Sequence, residues 1–241
     1  LKRLRELRLV GVLQLHNATG SNSPDDLAKL VDWYLKPEVK ALLEQEQDIL
    51  LLNIANEWFG EWNDPDATYR KSYESQIARL RAGGLEHVLV IDARGWGQQF
   101  SSIPENFREL MAVDQNLLFS AHMYDQFGTN EIVSDAFNVL RREHIPALIG
   151  EFACAHYPGQ TVACEKIMEE AARQDWPVGY IAWSFSGNSS PLESLDIVSQ
   201  SDWYTLSPFG RTVIEHPFGV KATSRIACIY NRSECAKEGE L

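Results

Sequence analysis

The chain has 241 residues, 44% hydrophobic and 23% charged, enough for one core-forming domain of about 200 to 250 residues. Its formal net charge of -12 at pH 7 disfavours a nucleic-acid partner, whose phosphates it would repel, and suits a neutral or cationic ligand. No run of about 18 apolar residues could cross a bilayer, and no linker-like, low-complexity or repeated tract divides the chain, so one soluble domain over 1–241 is expected.

Leu1–Leu9 places Leu1, Leu4 and Leu7 on one helical face among basic residues and reads as an amphipathic helix. It is not a signal peptide, because Lys2, Arg3, Arg5, Glu6 and Arg8 interrupt any apolar core; the chain is expected to begin inside a domain. A strand over Leu9–Leu15 ends at His16 and Asn17, and Ser23 with Pro24 supplies an N-cap and first-turn proline for a helix that restarts at Pro37. Ile49–Leu52, continued by Ile54 and Ala55, is a short apolar run bounded by charge, as expected of a parallel strand buried on both faces. Asn56, Glu57 and Trp58 follow at once. Asp64 and Pro65 open a helix that Gly83 and Gly84 close, and His87–Asp92 is the next strand. Strands over Leu117–His122, Ala147–Gly150 and Val178–Ser184 then alternate with helices near Pro104–Val113, Asn130–Arg142 and Val162–Gln174, and a last helix lies near Pro208–His216.

Six strands alternating with helices at spacings of about 30 residues predict βαβ units and a parallel sheet: an α/β protein with most of a (β/α)8 TIM barrel. A doubly wound open sheet would announce itself with a glycine-rich turn after the first strand, and Ala18–Gly20 is no substitute. Nearly every predicted strand ends in reactive or aromatic groups: His16, Glu57, Asp92, His122 with Tyr124, Glu151, and Trp183 with Ser184. Barrel enzymes build their active sites from those ends. A lone Glu57 could merely start a surface loop. Paired with Glu151 it can serve glycoside hydrolysis, in which one acid protonates the leaving oxygen and the other attacks the anomeric carbon; a separation of about 5 to 5.5 Å gives retention.

LQLHNATG at 13–20, NIANEWFG at 53–60, IDARGWGQ at 91–98, SAHMYDQFG at 120–128, IGEF at 149–152 and IAWSFSGN at 181–188 together resemble the bacterial-type endo-β-1,4-mannanases of glycoside hydrolase family 5. Each motif is weak alone; six in the family's order, each at a predicted strand end, are specific. The resemblance implies Glu57 as general acid/base, Asn56 as the partner of the sugar 2-hydroxyl, and Glu151 as nucleophile. It implies that Tyr124 orients Glu151, that His122 contacts the bound sugar, and that Trp183 is an aromatic platform rather than a core tryptophan. His16, Trp58, Trp96 and Gln98 are secondary substrate-binding candidates. It further implies a β-mannan substrate and no cofactor; charge, hydropathy and cysteine spacing separately predict no nucleic-acid partner, no membrane partner and no metal. An endo-β-1,4-glucanase and a catalytically silent carbohydrate-binding barrel are the alternatives. Two positions depart from the family: Asn17 stands where an aspartate is usual and Arg94 where a small residue is usual. Arg94 is expected either to alter substrate grip or to be a solvated loop residue.

Cys154, Cys164, Cys228 and Cys235 form two sequence-close pairs with three possible connectivities, of which local pairing is favoured; none of the spacings suits zinc. Disulfides imply a secreted, extracellular setting, against the alternative of free buried thiols. Asn17, Asn188 and Asn231 begin glycosylation sequons, with Asn231 the safest acceptor because Asn17 falls in the expected cleft.

A closed barrel needs eight strands, so two upstream units of about 30 residues each are expected to precede the six. The Leu9 and Val178 strands would otherwise be open edges prone to pairing with another chain, whereas a complete barrel is expected to be monomeric. A version extended upstream by about 60 residues is expected to melt higher and hydrolyse mannan faster than the 241-residue chain. Equal melting temperatures and rates, with a monomeric short form, would contradict this.

Overall fold

The computed structural model describes residues 1–231. By packing, the described chain divides into two compact units, one of Leu1–Ile91, Arg108–Leu118 and Arg225–Asn231, the other of Asp92–Phe107 and Phe119–Ser224.

The first unit begins with α1 (Lys2–Glu6), β1 (Gly11–Gln14), α2 (Pro24–Tyr34), α3 (Pro37–Glu44), β2 (Leu50–Asn53) and α4 (Thr68–Ala82). β1 and β2 pair in parallel from Gly11↔Leu50 to Gln14↔Asn53, and β2 continues onto β3 (Leu89–Asp92) through Leu52↔Leu89. α2 buries Leu27, Leu30, Val31 and Tyr34, an i, i+3, i+4, i+7 stripe. Ser23 occupies the expected N-cap position with Pro24 after it, but its hydroxyl makes no capping bond. α4 is capped from further upstream, where the Asp64 carboxylate accepts the Thr68 and Tyr69 amides at 2.7 and 3.0 Å. α1 is shorter than the expected helix and buries none of its residues.

β3, α5 (Ser102–Val113) and β4 (Leu117–Met123) each contribute residues to both units. The second unit continues with α6 (Asn130–Glu143), β5 (Ala147–Phe152), α7 (Cys164–Ala171) and β6 (Gly179–Tyr180). The strand order is β1-β2-β3-β4-β5-β6, the sequential order expected of βαβ repeats. Val133, Ala136, Phe137 and Leu140 form the buried stripe of α6, whose first turn is capped by the Thr129 hydroxyl. Val133, Phe137 and Leu140 each contribute about 1.5 to 3 kcal/mol through burial.

β6 is shorter than the strand expected over Val178–Ser184, although Ile181 and Trp183 still donate to the carbonyls of Ile149 and Phe152. The sequence reading missed an antiparallel hairpin, β7 (Val198–Ser199) with β8 (Asp202–Leu206), whose second strand is exposed along most of its length. α8 (Pro208–Glu215), capped by Ser207, and α9 (Val220–Thr223) complete the second unit. No helix among the described residues is long and apolar enough to cross a membrane.

Cys154 and Cys164 are disulfide-bonded, with Cα atoms 4.9 Å apart, as local pairing required. The expected Cys228–Cys235 pairing falls on residue 235, outside the described residues.

Glu170 of α7 is buried, held by Arg141 at 2.7 Å, Lys166 at 2.9 Å and the Ser134 hydroxyl at 3.1 Å. Burial alone would raise its pKa, but the Lys166 and Arg141 hydrogen bonds outweigh burial and hold it below the usual glutamate range. A folded-state value below the unfolded one means that the contribution is complete above the unfolded value of about 4.3 and is lost as pH falls through the folded value. Glu170→Gln is therefore expected to cost roughly 1 to 3 kcal/mol at pH 7 and much less near pH 3, by urea denaturation at each pH. A deficit independent of pH would show that the charge contributes nothing.

Reducing the Cys154–Cys164 bond, which closes a ring of sequence separation 10, is expected to lower stability by roughly 2 to 3 kcal/mol and the melting temperature with it. Unchanged melting under reductant, with both thiols shown free, would contradict that.

Candidate active site

In the first unit the chain leaves β2 at Asn53, passes through buried Ile54 and Ala55, and reaches Asn56–Phe59. Glu57 and Phe59 both lie in the left-handed backbone region, with φ of 50° and 77°. That conformation costs a non-glycine residue about 1 to 2 kcal/mol, so the surroundings must hold it. They do so from one segment, the loop after β1. Asn56 N donates to Leu15 O at 3.0 Å, Gly20 N to Glu57 O at 3.0 Å, and Phe59 N to Ser21 O at 2.9 Å. The Thr19 hydroxyl donates to Asn56 O at 3.1 Å and accepts from Asn56 Nδ2 at 3.3 Å. Behind them, buried Tyr34 donates to the Asn53 carbonyl at 2.7 Å, and burial pushes its hydroxyl well above the usual tyrosine range, keeping it a donor.

Trp58 corrects an expectation. It is 0% exposed, its indole N–H donates to Ser23 O at 3.1 Å, and its ring packs against Phe59, Tyr69 and Tyr73 with centroids 5.3 to 6.4 Å apart. It presents no face to a sugar; it anchors the loop. Glu57 itself is half-buried, Asn56 is buried, and His16 and Asn17 are exposed.

In the second unit β4 and β5 pair from Phe119↔Ala147, but a register shift after Ala121 skips Gly150 and sets His122 opposite Glu151. Such a bulge re-aims the side chains beyond it. Glu151 is 5% exposed, and the Tyr124 hydroxyl donates to its Oε2 at 2.7 Å. That bond fixes one carboxylate rotamer and offsets part of the cost of burying the acid. His122 is fully buried, with Nδ1 3.5 Å from Glu151 Oε2 and Nε2 3.6 Å from Asp92 Oδ2. The resemblance implied sugar contact for His122; its ring is fully buried and lies between the carboxylates of Glu151 and Asp92.

Two glycines make room for that imidazole. A Cβ at Gly97, whose φ is 71°, would lie 2.6 Å from His122 Cγ, and one at Gly150 would lie 2.2 Å from Ser120 Oγ and 3.1 Å from His122 Nε2. The Gly97 carbonyl also accepts the His122 amide at 2.8 Å. Sequence reasoning passed over a further pair: His156 Nδ1 lies 3.0 Å from Asp125 Oδ1, and its ring stacks on Tyr124 at 4.5 Å. The loop carrying His156 is the one the disulfide closes.

Trp96 is 45% exposed on the turn after β3, with Gln98 half-buried beside it in sequence; Trp183 is half-buried. Arg94 is neither a solvated loop residue nor a free grip on substrate, because its guanidinium is buried against Glu105 at 2.6 Å. Asn188 spends its side-chain amide on Asp196 and the Ser184 hydroxyl, at 2.6 and 2.9 Å, which leaves it a poor glycan acceptor.

Comparison with known proteins gives the family and the fold. Residues 8–189 match the family described as Cellulase (glycosyl hydrolase family 5). A mannan endo-1,4-beta-mannosidase of Cellvibrio japonicus is 33% identical over 94% of this chain, and one of Salipaludibacillus agaradhaerens 32% identical over 92%. The chain spans 52% of the first protein's length and 71% of the second's. The beta-mannanase of Thermomonospora fusca superimposes with a TM-score of 0.86 at 33% identity, over 95% of this chain and 76% of that one; it has also been solved with mannohexaose. The six parallel strands are thus those of a partial (β/α)8 barrel. The chain belongs to the cellulase family, glycosyl hydrolase family 5.

Proposed function

We propose that this chain carries the catalytic residues of a secreted, retaining endo-β-1,4-mannanase. The observation that carries the reading is Glu151, a buried carboxylate at the end of a barrel strand with one oxygen committed to the Tyr124 hydroxyl at 2.7 Å. A nucleophile needs that combination of a fixed rotamer and one oxygen held while the other attacks. The relatives named mannan endo-1,4-beta-mannosidase, and the Thermomonospora fusca enzyme solved with mannohexaose and mannotriose, support β-mannan as the substrate. The Cys154–Cys164 disulfide supports an extracellular setting.

In the proposed double displacement a Glu151 carboxylate oxygen attacks the anomeric carbon as the glycosidic C–O bond breaks, and Glu57 gives its proton to the departing oxygen. Water then attacks the glycosyl ester, Glu57 takes the water's proton, and Glu151 leaves as carboxylate. Net retention follows. Asn56 hydrogen-bonds the 2-hydroxyl of the sugar being transferred, and the indole of Trp183 stacks on its C–H face. His16, Trp96 and Gln98 contribute to the surrounding cleft, and no cofactor takes part.

Glu57→Gln and Glu151→Gln are each expected to remove about 99% or more of mannan hydrolysis. On an aryl mannobioside with a good leaving group, Glu57→Gln should still form the glycosyl enzyme, because acid assistance is then dispensable, whereas Glu151→Gln should not. Mass spectrometry of the trapped protein reads the difference. Small and equal losses for both variants would reject the assignment, and a strong preference for cellulose over mannan would reject the substrate.

A further inference from the structure

We infer that Thr19 is a positioning residue that fixes which end of the Asn56 carboxamide is left for the substrate. The inference rests on the mannanase reading above and deepens it. Asn56 is 2% exposed, so each of its polar atoms needs a partner. Thr19 Oγ1 sits between two of them: its proton goes to the Asn56 main-chain carbonyl at 3.1 Å, which leaves its lone pair for the Asn56 side-chain N–H at 3.3 Å. A hydroxyl has a single proton, and that proton is spent. Turning the carboxamide over would bring a second acceptor against an oxygen with nothing left to donate, so the network selects one orientation.

The consequence is visible at the other end of the amide. Asn56 Oδ1 is buried and has no hydrogen-bond partner among the described residues. An unmet buried acceptor costs about 1 to 3 kcal/mol, a penalty tolerated where a ligand supplies the donor. A sugar hydroxyl, which can donate, is such a ligand. Thr19 thereby holds an acceptor ready for the hydroxyl of the sugar being transferred, without itself touching that sugar.

The expected behaviour separates this role from simple loop stability. Thr19→Ser keeps the hydroxyl and should stay within about twofold of wild type. Thr19→Val keeps the shape, loses the hydroxyl and frees the amide to turn. It should lose roughly tenfold in kcat/KM on an aryl β-mannobioside, yet less than about twofold on the same compound lacking the 2-hydroxyl of the transferred sugar. Production in a bacterial host keeps the Asn17 sequon, which Thr19→Val also removes, out of the comparison. Equal losses on both compounds, or no loss on either, would overturn the inference while leaving the mannanase reading intact. A second readout needs no turnover: the Asn56 side-chain amide signal in a 15N spectrum should be unchanged in Thr19→Ser and displaced in Thr19→Val. Wild-type inactivity on mannan would reject the proposed function, and an undisplaced amide signal in Thr19→Val would then reject the inference on its own.

Discussion

The loop that carries Glu57 depends on a backbone that would not adopt its conformation unaided. A glutamate and a phenylalanine two residues apart both sit at positive φ, and neither has glycine's freedom. What keeps them there is the loop after β1, which supplies main-chain partners at Leu15, Gly20 and Ser21 and a hydroxyl at Thr19. The aromatic packing of Trp58 with Phe59, Tyr69 and Tyr73 then locks the residues on the far side of Glu57. The strain is local and small, and the contacts opposing it are many. The backbone at Glu57 is thus set by geometry that its neighbours impose.

The end of the β4–β5 pair obeys a different rule. Glu151, His122 and Asp92 are all buried, and an ionisable group without water needs a partner close by. The sheet provides those partners by register. One skipped residue in the β4–β5 pairing puts His122 opposite Glu151, and Tyr124 follows at the end of the strand with its hydroxyl on the carboxylate. His156 backs Tyr124 by stacking, and Asp125 holds His156 in turn, so the orientation of the Glu151 carboxylate is passed outward through rings to a loop that a disulfide closes.

Much of this was legible in the sequence where periodicity and strand length agree. The apolar runs located β2, β4 and β5; His122 and Glu151 lie on β4 and β5 as expected, while Glu57 follows the end of β2 by four residues. Prolines and glycines marked helix ends to within a few residues, as at Pro24, Pro37 and Gly83. What stayed illegible is what depends on side-chain direction. Trp58 follows Glu57 directly, yet the left-handed turn at Glu57 breaks the alternation that would have placed it, and the indole goes to the core. The imidazole of His122 disappears behind two glycines whose importance lies in space rather than in chain order. The β7–β8 hairpin was missed because Trp203 and Tyr204 are both exposed, so no inward-outward alternation betrays a strand.

Those two glycines also limit how the scaffold can be reworked. Gly97 and Gly150 admit not even a methyl group without displacing His122 or Ser120, and Gly97 in addition requires a positive φ. Neither position offers a side chain that could be improved, and neither would attract attention in a search for residues that act chemically. Directed evolution of this barrel should find both sites closed to variation, and any functional variant altered at either should carry a compensating smaller residue at 120 or 122. In that sense part of what holds the buried imidazole is volume left unfilled.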